Sequence, residues 1–151
     1  LGVRRQRQMC IRDSVNDTMV GSDCSNIRLK NWVFYNDLPN QIMLSSIGLI
    51  VLPENFYNQY LTAPNKLYDY ISFGMPVVCT DLPSIRDLIP KNHIGVRFVS
   101  PNDTNSYVME LKKLLSNKKY YQQLQESNIA LSKSLSWKNQ SSILLQSMGL
   151  K

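Results

Sequence analysis

Residues 61–89 read LTAPNKLYDYISFGMPVVCTDLPSIRDLI, and in them a helix, a turn, a strand and a second helix follow one another without a spare residue. Pro64 suits the start of a helix, because the N–H it lacks would find no helical carbonyl there. Leu67, Tyr70, Ile71 and Phe73 give that helix an apolar side. Gly74 stands where the backbone turns left-handed after a last helical turn. The run Pro76-Val77-Val78-Cys79-Thr80 is short, β-branched and apolar on both faces, the pattern of a strand in a parallel sheet covered by helices. Pro83 and Ser84 then open a helix that reaches Ile89. One α-turn-β-α unit results, and it predicts an α/β fold with a Rossmann-like parallel sheet flanked by helices.

On the N-terminal side of this unit, Ile47 to Leu52 predicts a second buried strand ending at Pro53. Asn31 to Tyr35 predicts another, with Asn36 and Asp37 as turn or cap residues and with Leu38, Ile42, Met43 and Ile47 as the buried stripe of the following helix. Residues 15–30 are polar, and Met19 to Gly21 fits at most the end of a partial strand. On the C-terminal side, Gly95 to Val99 predicts a strand and the remainder a helical tail. Asp103 or Thr104 caps its first helix, which carries Tyr107, Val108, Leu111, Leu114 and Leu115 and is closed by Asn117. Tyr121, Leu124, Leu131 and Leu135 line one side of the second, and Ser136 opens a third with Ile143, Leu144 and Met148 inward. Stripes of this kind are core packing and imply no cofactor.

In open parallel sheets, ligands bind outside the carboxyl ends of the strands. Here that places attention on residues 54–63, ENFYNQYLTA, and on the start of the Pro64 helix. The N–H groups of its first turn and its dipole favour an anion, so a diphosphate suits the place. Lys66 adds a mobile positive charge in that turn. Read blandly, it is a surface lysine at a helix start, where it is mildly unfavourable. Asn65 and the loop tyrosines Tyr57 and Tyr60 are weaker candidates, since loop aromatics also serve as packing.

The arrangement P-N-K-L-Y-D-Y-I-S-F-G-M-P-V-V, followed by D-L-P-S-I-R-D-L-I, resembles the nucleotide-sugar-binding part of GT-B glycosyltransferases of the retaining family 4 type. The S-P-N-D stretch at Ser100 to Asp103 and the S-W-K stretch at Ser136 to Lys138 are similar to that family's stretches after its last strand and at its terminal helix. The resemblance implies that the chain is an incomplete C-terminal half of a GT-B fold that binds a UDP- or GDP-linked sugar. By the same resemblance Asp69 would hold the ribose, where many members have glutamate. The first turn from Pro64 through Asn65 and Lys66 to Leu67 would meet the phosphates, and Tyr35 and Asn36 the base edge. For Tyr35 and Asn36 a plain strand end and helix cap is an equal reading. The resemblance puts acceptor recognition, the catalytic-type histidine and the diphosphate-binding arginine and lysine in a missing N-terminal part, and it allows peripheral membrane association of the full-length enzyme. No catalytic residue is therefore assigned in this chain.

Residues 4–14, RRQRQMCIRDS, resemble a translated sequencing adapter, so residues 1–14 are expected to be non-native and residues 15–151 to form the domain. A basic tail or an Arg-rich presequence is the other reading. Arg4, Arg5, Arg7 and Arg12 against Asp13 carry half of the net charge of +6. What is left is too mild for the basic stripe that nucleic-acid binding needs. Cys10, Cys24 and Cys79 show neither disulfide nor metal spacing, which fits a reducing cytoplasmic setting, with Cys79 a small buried hydrophobe. No D-x-D stretch or Cys/His cluster offers a metal site, so a metal-independent transfer is expected. His93, the only histidine, falls in a loop where solvation is the ordinary state.

Two other functions are compatible with this architecture. A sugar-nucleotide epimerase would take its carboxylates and histidine from the missing half. A non-enzymatic doubly wound module of receiver type would need an acidic cluster at the strand ends, where only Asp81 stands.

Overall fold

The computed structural model describes residues 33–52, 57–61 and 63–149. The basic prefix, the stretch 15–32 in which a partial strand was expected, and Pro53 to Phe56 lie outside the described residues. The chain divides into two units, Leu1–Gln41 and Ile42–Lys151.

In the first unit the described chain includes a 3₁₀ turn, Tyr35–Asp37, running into helix α1, Leu38–Met43, whose last two residues belong to the second unit. Tyr35 was expected to end a strand. Instead Phe34 is extended and its carbonyl receives the N–H groups of Asp37 and Leu38 at 3.0 and 3.2 Å, so the backbone is already coiling at Tyr35. None of the six residues of α1 is buried, which corrects the expected inward stripe of Leu38, Ile42 and Met43.

The second unit is built on three parallel strands among the described residues, β1 Gly48–Ile50, β2 Val77–Thr80 and β3 Val96–Val99, in the order β1-β2-β3. Parallel neighbours cannot be joined by a hairpin and need a crossover. Helices α2 Tyr57–Leu61 and α3 Asn65–Ser72 carry the chain from β1 to β2, and α4 Pro83–Leu88 carries it from β2 to β3. The segment 54–63, expected as a loop, thus contains a short helix. Helices α5 Thr104–Ser116, α6 Lys118–Ser134 and α7 Trp137–Ser147 follow.

The local signals act as their chemistry requires. Pro64 sits just ahead of α3 in an extended conformation, and Gly74 has φ of +66° after its last turn. Pro83 occupies the first turn of α4. Asp103 accepts the Ser106 N–H at 3.0 Å to start α5, and Asn117 accepts the Tyr120 N–H at 2.9 Å to start α6.

All four residues of β2 are buried. Val77 and Cys79 face one cluster with Ile50, Leu67, Ile71, Ile85, Val96 and Leu131, and Val78 faces the other with Val99, Tyr107, Leu114 and Leu124. Two apolar layers therefore sandwich the sheet, as the two-faced apolar run predicts. β1 differs. Gly48 and Ile50 are buried, but Leu49 and Val51 are 45% and 62% exposed, because the described helices on their side cover β2 and β3. The expectation of a strand buried on both faces fails there. Helix α7 also departs from expectation: Ile143, Leu144 and Met148 are exposed. Its described ties to α6 are polar, from Asn139 Nδ2 to the Lys133 carbonyl at 2.7 Å and from Gln140 Nε2 to the Ser134 carbonyl at 3.0 Å.

Candidate functional site at the carboxyl edge of the sheet

Each parallel strand delivers the chain to the same edge, so the start of α3, the end of β2 and the start of α5 meet at the carboxyl edge. Pro64 offers no side chain to cap α3. With 3.6 residues per turn, Asn65 and Asp69 stand one above the other with Lys66 beside them. Leu67 and Ile71 lie on the opposite side, fully buried in the core. Asn65, Lys66 and Asp69 are thus brought onto one polar face behind Pro64. Leu67 is present as an anchor, buried in the core and with its N–H donating to the Pro64 carbonyl at 3.0 Å. Asp69 is half-buried beside Tyr70, whose hydroxyl is pushed above its ordinary range by burial first and by the Asp69 charge second. Tyr70 in turn packs its ring over Gly48, where a Cβ would lie 2.4 Å from a ring carbon. Tyr35 and Asn36 are exposed residues of the 3₁₀ turn in the first unit.

A cleft of about 380 Å³ opens at the same edge of the second unit. Leu49, Val51 and Leu52 form its apolar wall, with Thr80 and Tyr107 below and the turn Asn102-Asp103-Thr104 opposite. Asn102 takes the left-handed conformation, φ of 64°, that lets the chain double back into α5. Asp103 accepts from the Ser106 hydroxyl at 2.5 Å as well as from its N–H, and these bonds hold its carboxyl below the usual range. It is therefore ionised at neutral pH and an acceptor only. The Thr80 and Tyr107 hydroxyls are 2.7 Å apart and both are buried.

Thr80, Asn102, Thr104 and Tyr107 were not expected as site residues, and Asp103 was expected only as a cap. Position could have found them. Thr80 ends a strand and Asn102 to Thr104 follow another, which is where open α/β sheets bind ligands. Asp81, the next residue, is held in a forked pair by Arg86, whose guanidinium lies 4.5 Å from the Phe98 ring centre.

His93 does not join this site, and it is not a solvated loop residue. It is half-buried at the opposite edge of the sheet. Asn128 on α6, fully buried, donates from Nδ2 to the Met75 carbonyl at 2.6 Å and to the Gly95 carbonyl at 3.0 Å. Carbonyls only accept, so Asn128 Oδ1 must face His93 Nε2, 2.7 Å away, and that nitrogen carries the proton. Nδ1 is left to accept from the Ser127 hydroxyl at 3.0 Å. The missing Cβ of Gly95 makes the approach feasible, since it would lie 2.1 Å from Asn128 Oδ1. Burial lowers the His93 pKa, opposed by the bond to Asn128.

Among the described residues no group of three or more His, Cys, Asp or Glu side chains could hold a metal ion, and no helix is long and apolar enough to cross a membrane.

Compared with known protein families, residues 7–139 match the glucosyltransferase 3-like, C-terminal domain. The matched span begins inside the basic prefix and runs into α7. No curated protein and no solved structure matches the chain.

Proposed function

The chain belongs to the glucosyltransferase 3-like, C-terminal domain family, and from that membership we propose that it is the donor-binding part of a cytoplasmic, GT-B-type glycosyltransferase of the retaining family 4 kind. Membership favours this reading over the epimerase and the interaction module. One observation supports the assignment to particular residues: Asn65, Lys66 and Asp69 share the polar face of α3, whose start lies at the carboxyl edge of a parallel sheet, and a cleft lined by β1, β2 and the start of α5 opens at that edge on the other face of the sheet. A cleft of about 380 Å³ falls within the range of roughly 300–1,000 Å³ of small-molecule sites.

In this proposal the donor is a sugar linked to UDP or GDP. Asp69 accepts hydrogen bonds from the ribose hydroxyls, and Lys66 with the first-turn amides of α3 meets the diphosphate. As the bond to the sugar breaks, charge collects on the departing diphosphate. Fixed amides and a lysine stabilise that charge without reorganising, and a metal is not required. Acceptor recognition and the groups that carry the chemistry are assigned to a second, N-terminal domain, through which the whole enzyme would meet its acceptor, at a membrane surface if that acceptor is a lipid.

Calorimetric titration of the chain with UDP and with GDP tests the proposal. Saturable binding of one of them is expected, weakened about tenfold by Asp69→Ala and by Lys66→Ala, or roughly 1.4 kcal/mol. Failure of a folded chain to bind either nucleotide overturns it.

A further inference from the structure

The ladder between β1 and β2 ends at the pair Ile50 and Cys79. One step further, a side chain takes over from the backbone. The Leu52 N–H donates to Thr80 Oγ1 at 2.8 Å, and Thr80 Oγ1 is 2.7 Å from the Tyr107 hydroxyl. Both hydroxyls stand 3.5 Å from the Ile50 carbonyl. Whichever of the two donates to the other, one proton is left, and the Ile50 carbonyl is the acceptor that remains for it. Thr80 is 1% and Tyr107 8% exposed, so water does not readily stand in for either partner.

Three elements are joined by this pair: the end of β1 through Ile50 and Leu52, the end of β2 through Thr80, and the first turn of α5 through Tyr107. The same three elements form the walls of the cleft. Leu49 and Val51 on the β1 wall are exposed, so packing alone does not fix where that wall stands relative to Asn102, Asp103 and Thr104. Burying two hydroxyls there in place of apolar groups would be costly if they were not bonded.

We propose that the Thr80–Tyr107 hydroxyl pair is a positioning element that holds the cleft in the shape that accepts the glycosyl group of the donor, an inference that rests on the donor-binding reading above. Neither hydroxyl touches the sugar. The pair sets the distance between the apolar β1 wall and the polar turn that ends in Asp103 and Thr104. The nucleotide portion is held elsewhere, by α3, so loss of the pair should affect the sugar and spare the nucleotide.

The experiment compares the wild-type chain with Thr80→Val, Thr80→Ser and Tyr107→Phe by calorimetry. The probes are UDP with UDP-glucose and GDP with GDP-mannose, each variant being titrated with the pair that the wild type binds. Thr80→Val keeps the β-branched shape and Tyr107→Phe keeps the ring, so one reports if the other fails to fold. Thr80→Val and Tyr107→Phe should bind the nucleotide sugar about tenfold more weakly and the bare nucleotide within twofold. Thr80→Ser, which restores the hydroxyl, should return the sugar nucleotide to within about twofold of wild type. Unchanged affinity for the sugar nucleotide, or an equal loss for both ligands, overturns the inference while leaving the donor-binding reading intact. Binding of neither pair by the folded wild type overturns the donor-binding reading itself, and this inference with it.

Discussion

Replacing Asn128 by aspartate changes one NH₂ group into an oxygen at a fully buried position and leaves the shape of the side chain almost untouched. In the wild type that group makes the bonds of 2.6 and 3.0 Å to the Met75 and Gly95 carbonyls. Gly95 keeps a partner, because its carbonyl also receives the Val77 N–H at 3.1 Å. Met75 instead faces an oxygen across a hydrogen-bond distance. Two lost bonds are worth about 0.5–1.5 kcal/mol each, and a buried acceptor left without a donor costs about 1–3 kcal/mol. A loss of about 3 kcal/mol is therefore expected at pH 8. For a unit of this size that is roughly 10–15 °C in Tm.

The introduced carboxyl should be pushed well above its ordinary range by burial and by the carbonyl oxygens it faces. A folded-state pKa raised in this way stabilises fully below the unfolded value of about 4, and that stabilisation is lost as pH rises through the folded value. At about pH 4.5 the carboxyl is protonated and can still donate to the Met75 carbonyl, so the variant should lie closer to wild type there than at about pH 8. Urea denaturation followed by circular dichroism at both pH values reads this out. A loss below about 1 kcal/mol at pH 8 with an unchanged denaturant slope would refute the reasoning, because the Asn128 amide would then not be what satisfies the two carbonyls.

The remaining predictions concern other parts of the same unit. Gly48→Ala places a Cβ 2.4 to 2.9 Å from three ring carbons of Tyr70, so the ring must move, and a destabilisation of about 1–3 kcal/mol is expected in urea; combined with Tyr70→Ala it should cost less than the sum of the two, and strict additivity would speak against the contact. The Cys79 thiol is pushed up to about 12, by burial first and by the Asp81 charge second. Alkylation mapped to Cys79 should therefore be at least roughly a hundredfold slower in the native chain than in urea, and comparable rates would contradict its burial. His93 titrates below its ordinary value, so the unfolded chain binds its proton more tightly. Its contribution to stability is full above about pH 6.5 and is lost as pH falls through the folded value. His93→Gln should flatten that part of the curve of urea midpoint against pH, and an unchanged curve would assign the dependence to another group.

The start of α3 was legible because its signals are local, whereas the residues lining the cleft were not expected as site residues. The residues Pro64, Gly74 and Pro83 mark where α3 begins, where it stops and where α4 begins, and each acts through its own backbone. The polar face of Asn65, Lys66 and Asp69 follows from helical spacing once Leu67 and Ile71 are placed inward. Asn128 was not singled out from the sequence, although it stands between Leu124 and Leu131 on an apolar stripe where a polar residue asks for partners. Which partners could not be read, because His93 is 35 and Met75 is 53 residues away. Exposure misled in both directions. His93 in its loop is held against α6, and Met43 of α1, Leu49 of β1 and the apolar residues of α7 lie open, because burial depends on what packs over a residue as well as on the residue itself.

The sequence by itself determined the local elements: a buried parallel strand at Val77, a helix stopped by Gly74, a cap at Asp103 or Thr104, and a buried thiol at Cys79. These follow from backbone sterics, missing donors and apolar spacing, which act within a turn or two of the chain. Only the tertiary structure decided that Thr80 meets Tyr107 across 27 residues and that both tie down the end of β1. It also decided that Asn128 joins the starts of β2 and β3. Such bonds are set by where the packed sheet and helices leave two polar groups facing each other out of water, and that arrangement has no signature in the spacing of either residue.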